Sequence, residues 1–288
     1  MGSLGGSRST LLILLLLCLS LAVGGRAQTL AQQFTPWTEN ARFTTDTQMQ
    51  LTLDQRYAAG AGSVNVWTYV DISAYIKMPP FDSAGTVTTF YMSSQGDQHY
   101  ELDMEFLGNT SGQPFLLHTN VFVDGVGGRE QQMYLGFDPS ADFHYYRFRW
   151  SKDMVVFYVD NKPVRVFKNL EGTVPGTKYL NQQAMGVYIS IWDGSSWATQ
   201  GGRVPINWAS APFTATYQDF ALNGCVVDPN DPNGVAACQN SPYATGAALS
   251  NQEVYELGQN KAYMMKYDYC DDRVRYPDVP PECPYNNV

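Results

Sequence analysis

Glu101, Asp103 and Glu105 stand at alternate positions of the run Glu101-Leu102-Asp103-Met104-Glu105. A period of two is the repeat of a β-strand, so the acids share one face while Leu102, Met104 and Phe106 take the other. Like charges side by side on a sheet repel, and a chain that keeps such a row uses it or neutralises it. Close carboxyl groups in unequal surroundings acquire separated pKa values, which lets one act as acid and another as base. Glycoside hydrolysis asks for this arrangement, with two carboxyls flanking the scissile bond about 5 to 5.5 Å apart when configuration is retained. At ~3.4 Å per residue the Cα atoms of Glu101 and Glu105 are ~13 Å apart, so both glutamates have to lean inward over a curved sheet. Asp103 then sits between them, within reach of either, and the acids titrate as a coupled set. Aromatic residues make up 14% of the chain, and flat rings offer apolar platforms to sugar faces. Trp192 and Trp197 stand close together among them, and two of the six tryptophans are assigned to that role.

The elements that position these acids are strands. Runs rich in β-branched and aromatic residues cover Met49 to Leu53, Trp67 to Met78, Thr86 to Ser93, Tyr100 to Leu107 and Phe115 to Val123. Further runs cover His144 to Trp150, Met154 to Val159, Val164 to Phe167, Met185 to Trp192 and Phe213 to Leu222. Asp160-Asn161 between two of them signals a hairpin, since both residues tolerate positive φ. Many short strands with little helical periodicity predict an all-β sandwich of two antiparallel sheets. Only the end differs: Ser250-Asn251-Gln252-Glu253 is a capping box, opening a helix with Val254, Leu257 and Met264 on one face. The turn-rich run Asp228 to Gly234 reads as a surface loop.

Leu11 to Val23 is a nearly unbroken apolar run ending in Gly24-Gly25-Arg26-Ala27, the layout of a secretory signal peptide cleaved after Ala27. The domain reading is therefore 1–27 leader, 28–224 β-domain and 225–288 C-terminal extension. No later segment approaches the ~20 apolar residues of a spanning helix, so no membrane partner is expected. Without the leader the chain holds 16 basic against 27 acidic residues, a formal charge of −11. Such a surface repels phosphates, which excludes nucleic acid and anionic lipid and leaves a neutral polymer as the compatible partner.

Cys18 leaves with the leader, and Cys225, Cys238, Cys270 and Cys283 remain, an even number suited to two disulfides in an oxidising compartment. Three pairings are possible; the sequential one, Cys225 with Cys238 and Cys270 with Cys283, closes the shortest loops and is the one expected. A zinc site competes, but there is no CxxC spacing and no histidine nearby. Gly125-Val126-Gly127-Gly128 lacks the lysine and hydroxyl of a phosphate loop and reads as a turn. A calcium site at the acids would need oxygens converging from several directions, which a strand row supplies poorly, so no metal is expected. Asn109-Thr110-Ser111 is an N-glycosylation sequon just past the acidic strand.

The run His99-Tyr100-Glu101-Leu102-Asp103-Met104-Glu105-Phe106-Leu107-Gly108-Asn109-Thr110-Ser111-Gly112 resembles the active-site strand of plant xyloglucan endotransglucosylase/hydrolases, a branch of glycoside hydrolase family 16. Family-like blocks follow in order, among them His118-Thr119-Asn120-Val121-Phe122, Arg129-Glu130-Gln131-Gln132, Trp197-Ala198-Thr199-Gln200-Gly201-Gly202 and Tyr267-Asp268-Tyr269-Cys270. The resemblance implies a jelly-roll sandwich with a concave glucan-binding cleft and a small C-terminal extension bearing two sequential disulfides. It implies Glu101 as nucleophile, Glu105 as general acid/base and Asp103 as the assisting acid. It places His118, Thr119, Asn120, Gly128, Arg129, Glu130, Ser196, Trp197 and Gly201 at the glucan. Donor and acceptor xyloglucan chains are the implied partners, with no cofactor, a monomeric enzyme, and secretion to the apoplast and cell wall. Departures stand at Tyr100, where the family has Asp, and at Gly128, where Asn is common. Trp67 to Met78 lacks a usual glycine, and the family arginine of the extension has no clear counterpart around Gln259 to Lys261. Rival readings are a mainly hydrolytic enzyme on xyloglucan or mixed-linkage β-glucan, and a wall-binding lectin, which has no need of a nucleophile and an acid.

Overall fold

The computed structural model describes residues 28–246 and 248–286; the expected leader, with Cys18, lies outside the described residues. Its strands are β1 Phe34–Pro36, β2 Ala41–Phe43, β3 Gln48–Leu53, β4 Ala59–Lys77, β5 Thr86–Ser93, β6 Glu101–Leu107 and β7 Leu116–Phe122. They continue as β8 Gln131–Tyr134, β9 His144–Trp150, β10 Met154–Val159, β11 Lys162–Lys168, β12 Met185–Asp193, β13 Phe213–Val227 and β14 Met265–Asp268. All pairings are antiparallel, and hydrogen bonds link the 14 strands into one sheet folded on itself.

The fold line runs through β4. Residues 59–67 of β4 pair with β12, whereas residues 70–76 pair with β9. Between them Thr68 is buried and Tyr69 takes a positive φ of 58°, a local turn that passes the strand from one layer to the other. One layer is then β1, the first half of β4, β12, β5, β6, β7, β8 and β14; the other is β2, β3, β13, the second half of β4, β9, β10 and β11. Aromatic rings bridge the layers: Phe90 of β5 lies 5.2 Å from Phe148 of β9, and Phe106 of β6 lies 4.6 Å from Tyr146.

Leu102, Met104 and Phe106 are fully buried in that core, as their alternation with the acids predicts. At about 1.5–3 kcal/mol for each fully buried side chain, they outweigh the repulsion the acids suffer on the other face and hold β6 in register. The Asp160-Asn161 hairpin forms with both residues at positive φ, 47° and 62°.

The helix Asn251–Met264 starts at the expected capping box, with Ser250 Oγ accepting from the Glu253 N–H at 3.2 Å. It packs Leu257 against Val156, Tyr158 and Val166. Disulfides join Cys225 to Cys238 and Cys270 to Cys283. Beyond the helix, β14 pairs with β8, so the C-terminal segment adds the outermost strand to the layer that carries the acids. Among the described residues no helix is long and apolar enough to cross a membrane.

The short strands β1, β2, β8 and β14 are not among the expected runs, and β13 continues past Leu222 to Val227. The largest difference in extent is in β4. The segment expected at Trp67 to Met78 is the second half of β4, whose first half is Ala59-Gly60-Ala61-Gly62-Ser63. Glycine weakens a strand and reads as a breaker, yet here the ladder to β1 and β12 on both sides holds it extended.

Candidate active site

Strand register builds the site in rows across the outer face of β12, β5, β6 and β7. Glu101 lies between Ser93 and Phe122, Asp103 between Tyr91 and Asn120, and Glu105 between Thr89 and His118. The Glu105 row extends to Ser190 beyond Thr89 and to Gln132 beyond His118. All three acids open into one pocket of about 300 Å³, with Tyr91, Asn120 and Trp192 in its wall.

Their surroundings separate them. Asp103, 8% exposed, is pushed well above the carboxylate range by burial and by the charges of Glu101 and Glu105, against the opposing pull of Arg165. Burial also raises Glu105, with help from the negative charges of Glu101 and Glu130, to about 7. Glu101 is raised too, by burial, but the Ser93 hydroxyl and the charge of His99 act against the rise. Near neutral pH the row thus favours protons on Asp103 and Glu105 and the negative charge on Glu101.

A histidine stands at each end. His118 Nε2 lies 3.7 Å from Glu105 Oε2 and His99 Nε2 3.8 Å from Glu101 Oε1. Burial draws His118 down to about 4, so the ring is neutral at pH 7. The Gln132 amide nitrogen, 3.0 Å from His118 Nδ1, can only donate; the ring's own proton is therefore on Nε2, directed at Glu105. The Gly96 carbonyl, 2.7 Å from His99 Nδ1, can only accept, so His99 carries a proton on Nδ1.

The remaining expected residues divide. His118 and Asn120 flank the acids on β7, whereas the Thr119 side chain between them points to the other face. It is fully buried there, accepting from Arg165 Nη1 at 2.9 Å and donating to the Gln131 carbonyl at 3.3 Å. Arg129 spends its guanidinium on Glu282, at 2.9 Å, and on the carbonyls of Val121 and Val126. Gly128 has φ 82° and a carbonyl that accepts from Tyr276 Oη at 2.5 Å; a Cβ there would meet that oxygen at 2.6 Å. Trp197 contacts Trp192 at 6.0 Å and the edge of His118 at 5.5 Å. With Gly201 it lines a second pocket of about 440 Å³ beside the first, and exposed Ser196 precedes it. Asn109, in the sequon, borders this pocket and donates to the Pro114 carbonyl at 3.0 Å.

Several site residues were not legible. Thr89, Tyr91 and Ser93 are brought to the acids by pairing with β5, which no local pattern announces. Around Gln259 to Lys261, where no arginine stands, Lys261 pairs with Asp268 at 3.1 Å; farther along the extension the Arg275 guanidinium grips both oxygens of Glu130 at 2.7 and 3.2 Å. Arg275 lies in the short loop closed by Cys270 and Cys283, which follows β14.

The model of glycosyl hydrolases family 16 matches residues 30–210. Xyloglucan endotransglucosylase protein 6 of Diospyros kaki is 43% identical over 251 residues, covering 83% of this chain and 82% of that protein. Xyloglucan endotransglucosylase/hydrolase protein 9 of Arabidopsis thaliana is 44% identical over 242 residues, covering 82% of each. Among solved structures, a Bacillus licheniformis β-glucanase shares the fold, with a TM-score of 0.52 and 20% identity over 67% of this chain and 92% of the glucanase.

Proposed function

The chain belongs to glycosyl hydrolase family 16, and from that premise we propose that it cuts the β-1,4-glucan backbone of xyloglucan and re-joins it to a second xyloglucan chain. The observation that carries the reading is the opening of Glu101, Asp103 and Glu105 into one pocket, with Glu105 raised to about 7 beside a less perturbed Glu101. An acid that keeps its proton near neutrality and a carboxylate that does not are the two groups a retaining mechanism needs.

In the first half-reaction a Glu101 oxygen attacks the anomeric carbon, the glycosidic C–O bond breaks, and Glu105 gives its proton to the departing oxygen. Asp103, protonated between them, donates a hydrogen bond to Glu101 and holds its orientation. In the second, the now ionised Glu105 takes the proton of an incoming hydroxyl, whose oxygen attacks the same carbon and releases Glu101. A glucan hydroxyl gives a re-joined polymer, and water gives a cut one. Bond order and oxidation state are unchanged across the cycle, so no cofactor is needed. His118 supports the exchange by presenting its Nε2–H toward Glu105. Asn120, Gly128, Arg129, Glu130, Ser196, Trp197 and Gly201 bind the glucan directly or shape the loops that do, and Thr119 acts from behind the sheet.

The same proposal has the leader 1–27 removed on secretion, a catalytic unit at 28–224 and an extension at 225–288. It places the monomeric enzyme, carrying a glycan on Asn109, in the plant cell wall. Its formal charge of −11 without the leader disfavours nucleic acid and anionic lipid as partners. The test is incubation of xyloglucan and mixed-linkage β-glucan with labelled xyloglucan oligosaccharides. Label entering long polymer supports transfer, new reducing ends without labelled polymer assign hydrolysis, and unchanged activity in Glu101→Ala refutes the assigned nucleophile.

A further inference from the structure

Arg165, on β11 at the edge of the layer that lacks the acids, is 2% exposed. Its guanidinium reaches the back of the layer that carries them, where Nη1 donates to Thr119 Oγ1 at 2.9 Å and Nη2 to the Arg129 carbonyl at 2.5 Å. The Nε–H finds no acceptor, and among the described residues no carboxylate forms an ion pair with the group. A hydroxyl and a carbonyl can be satisfied by a neutral amide donor, so these hydrogen bonds alone do not account for a buried charge, which is costly when unpaired. The carboxylates of the extension and of the loop before β8 have cations of their own: Asp268 has Lys261 at 3.1 Å, Glu282 has Arg129 at 2.9 Å and Glu130 has Arg275 at 2.7 Å. Tyr269, which also faces Arg165, donates its Oη proton to Glu282 at 3.3 Å. The acid row is different. Among the described residues no lysine or arginine pairs with Glu101, Asp103 or Glu105, whose ion partners are His99 and His118. A cation without a carboxylate and a charged row without a lysine or arginine thus stand on opposite faces of one sheet.

Register sets them back to back. Thr119 lies opposite Met104, midway between the pairs Asp103–Asn120 and Glu105–His118. Its hydroxyl passes the contact on to the first residue of β8, donating to the Gln131 carbonyl at 3.3 Å. We propose that Arg165 is a positioning residue of the glycosyl transfer: through Thr119 its fork fixes the strand that sets His118 and Asn120 beside the acids, and its charge balances the single negative charge of the row. That charge stays at one throughout the cycle, on Glu101 before attack and on Glu105 in the intermediate. A cation behind the middle of the row therefore serves both states without favouring either end. Burial and the two flanking glutamates raise Asp103 and Arg165 opposes them, while burial lowers His118 and Arg165 adds to the fall. The inference rests on the glycosidase reading and adds to it a residue that acts without touching the acids.

The experiment measures kcat, KM and the pH profile of kcat/KM on polymeric xyloglucan for wild type, Arg165→Gln, Arg165→Lys, Thr119→Val and Thr119→Ser. Thermal unfolding checks each variant for folding, and NMR titration follows the histidine rings. In Arg165→Gln the acid limb moves up by about one pH unit, the low end for a charge that acts across a sheet. The direction follows from the lost cation, since the row then gives up its first proton, and His118 its ring proton, at higher pH. By NMR, His118 rises from about 4 in the same variant. Arg165→Lys, which keeps the charge and loses the fork, leaves the limb in place. Thr119→Val lowers kcat about tenfold with KM nearly constant, whereas Thr119→Ser keeps most of the wild-type kcat. An unmoved limb and an unmoved His118 in Arg165→Gln, or an unchanged kcat in Thr119→Val, overturn the proposal. Where an Arg165 variant does not fold, equal kcat in the two Thr119 variants overturns it and a tenfold difference sustains it. Turnover by wild type with an unmoved His118 in Arg165→Gln sinks the cation's role alone. A wild type that turns over no β-glucan, with His118 still shifted in Arg165→Gln, sinks the glycosidase reading and keeps the pairing of the cation with the row.

Discussion

Replacing Glu105 with glutamine should stabilise the fold above neutral pH and change it little in acid. The carboxyl goes from its ordinary 4.5 to about 7 in the folded chain, because burial and the charges of Glu101 and Glu130 oppose its ionisation. At 1.36 kcal/mol per pKa unit that difference is roughly 3 kcal/mol. The sign follows from proton binding. Between 4.5 and about 7 the folded state holds a proton that the unfolded chain has released. The group's contribution is therefore complete below 4.5 and is lost as pH rises through about 7. Glutamine fills the same space and cannot ionise, so the variant lacks this slope. At roughly 2–4 °C per kcal/mol for a chain near this size, the melting temperature of the variant should exceed wild type by on the order of 10 °C at pH 8. Scanning calorimetry of both proteins at pH 4.5 and pH 8 reads the effect. The same ionisation should set the alkaline limb of kcat/KM in wild type at about 7. A stability gap that is equal at the two pH values, together with an alkaline limb far above 7, would refute Glu105 as the proton holder.

Asp103→Ala removes a side chain that is only 8% exposed, and with it the hydrogen bond that its protonated carboxyl donates to Glu101. With hydrogen bonds to charged groups at about 1.5–3 kcal/mol, kcat should fall by about tenfold to a hundredfold with KM nearly constant. Steady-state kinetics on xyloglucan check this, and a change confined to KM contradicts it. Cys270→Ser combined with Cys283→Ser opens a loop with a sequence separation of 13, which should cost about 3 kcal/mol in a urea titration. Because that loop carries Arg275 to Glu130 and Tyr276 to the Gly128 carbonyl, KM for xyloglucan should rise as well; unchanged stability and KM would count against the loop's role.

The legible part of the molecule is what lies within one strand's own repeat. Alternation alone places Leu102, Met104 and Phe106 in the core and the acids on the opposite face, and Asp160-Asn161 closes its hairpin through two local φ values. What surrounds the acids is set by pairing between distant segments, as in the contact of Thr89 Oγ1 with Ser190 Oγ at 2.6 Å across 101 residues of sequence. Register also decides that Thr119 faces Arg165 while its neighbours His118 and Asn120 face the cleft. A contiguous motif names all three residues without saying which way each points. The glycines of β4 show the same limit in its strongest form. Read along the chain, Ala59-Gly60-Ala61-Gly62 is a break in strand propensity. Read across the sheet, Gly60 and Gly62 are the two places where rings from Trp37 and Tyr188 need the absence of a side chain. A residue that weakens its own strand can be the one a distant ring requires, and that requirement becomes visible only when β1, β4 and β12 are placed side by side.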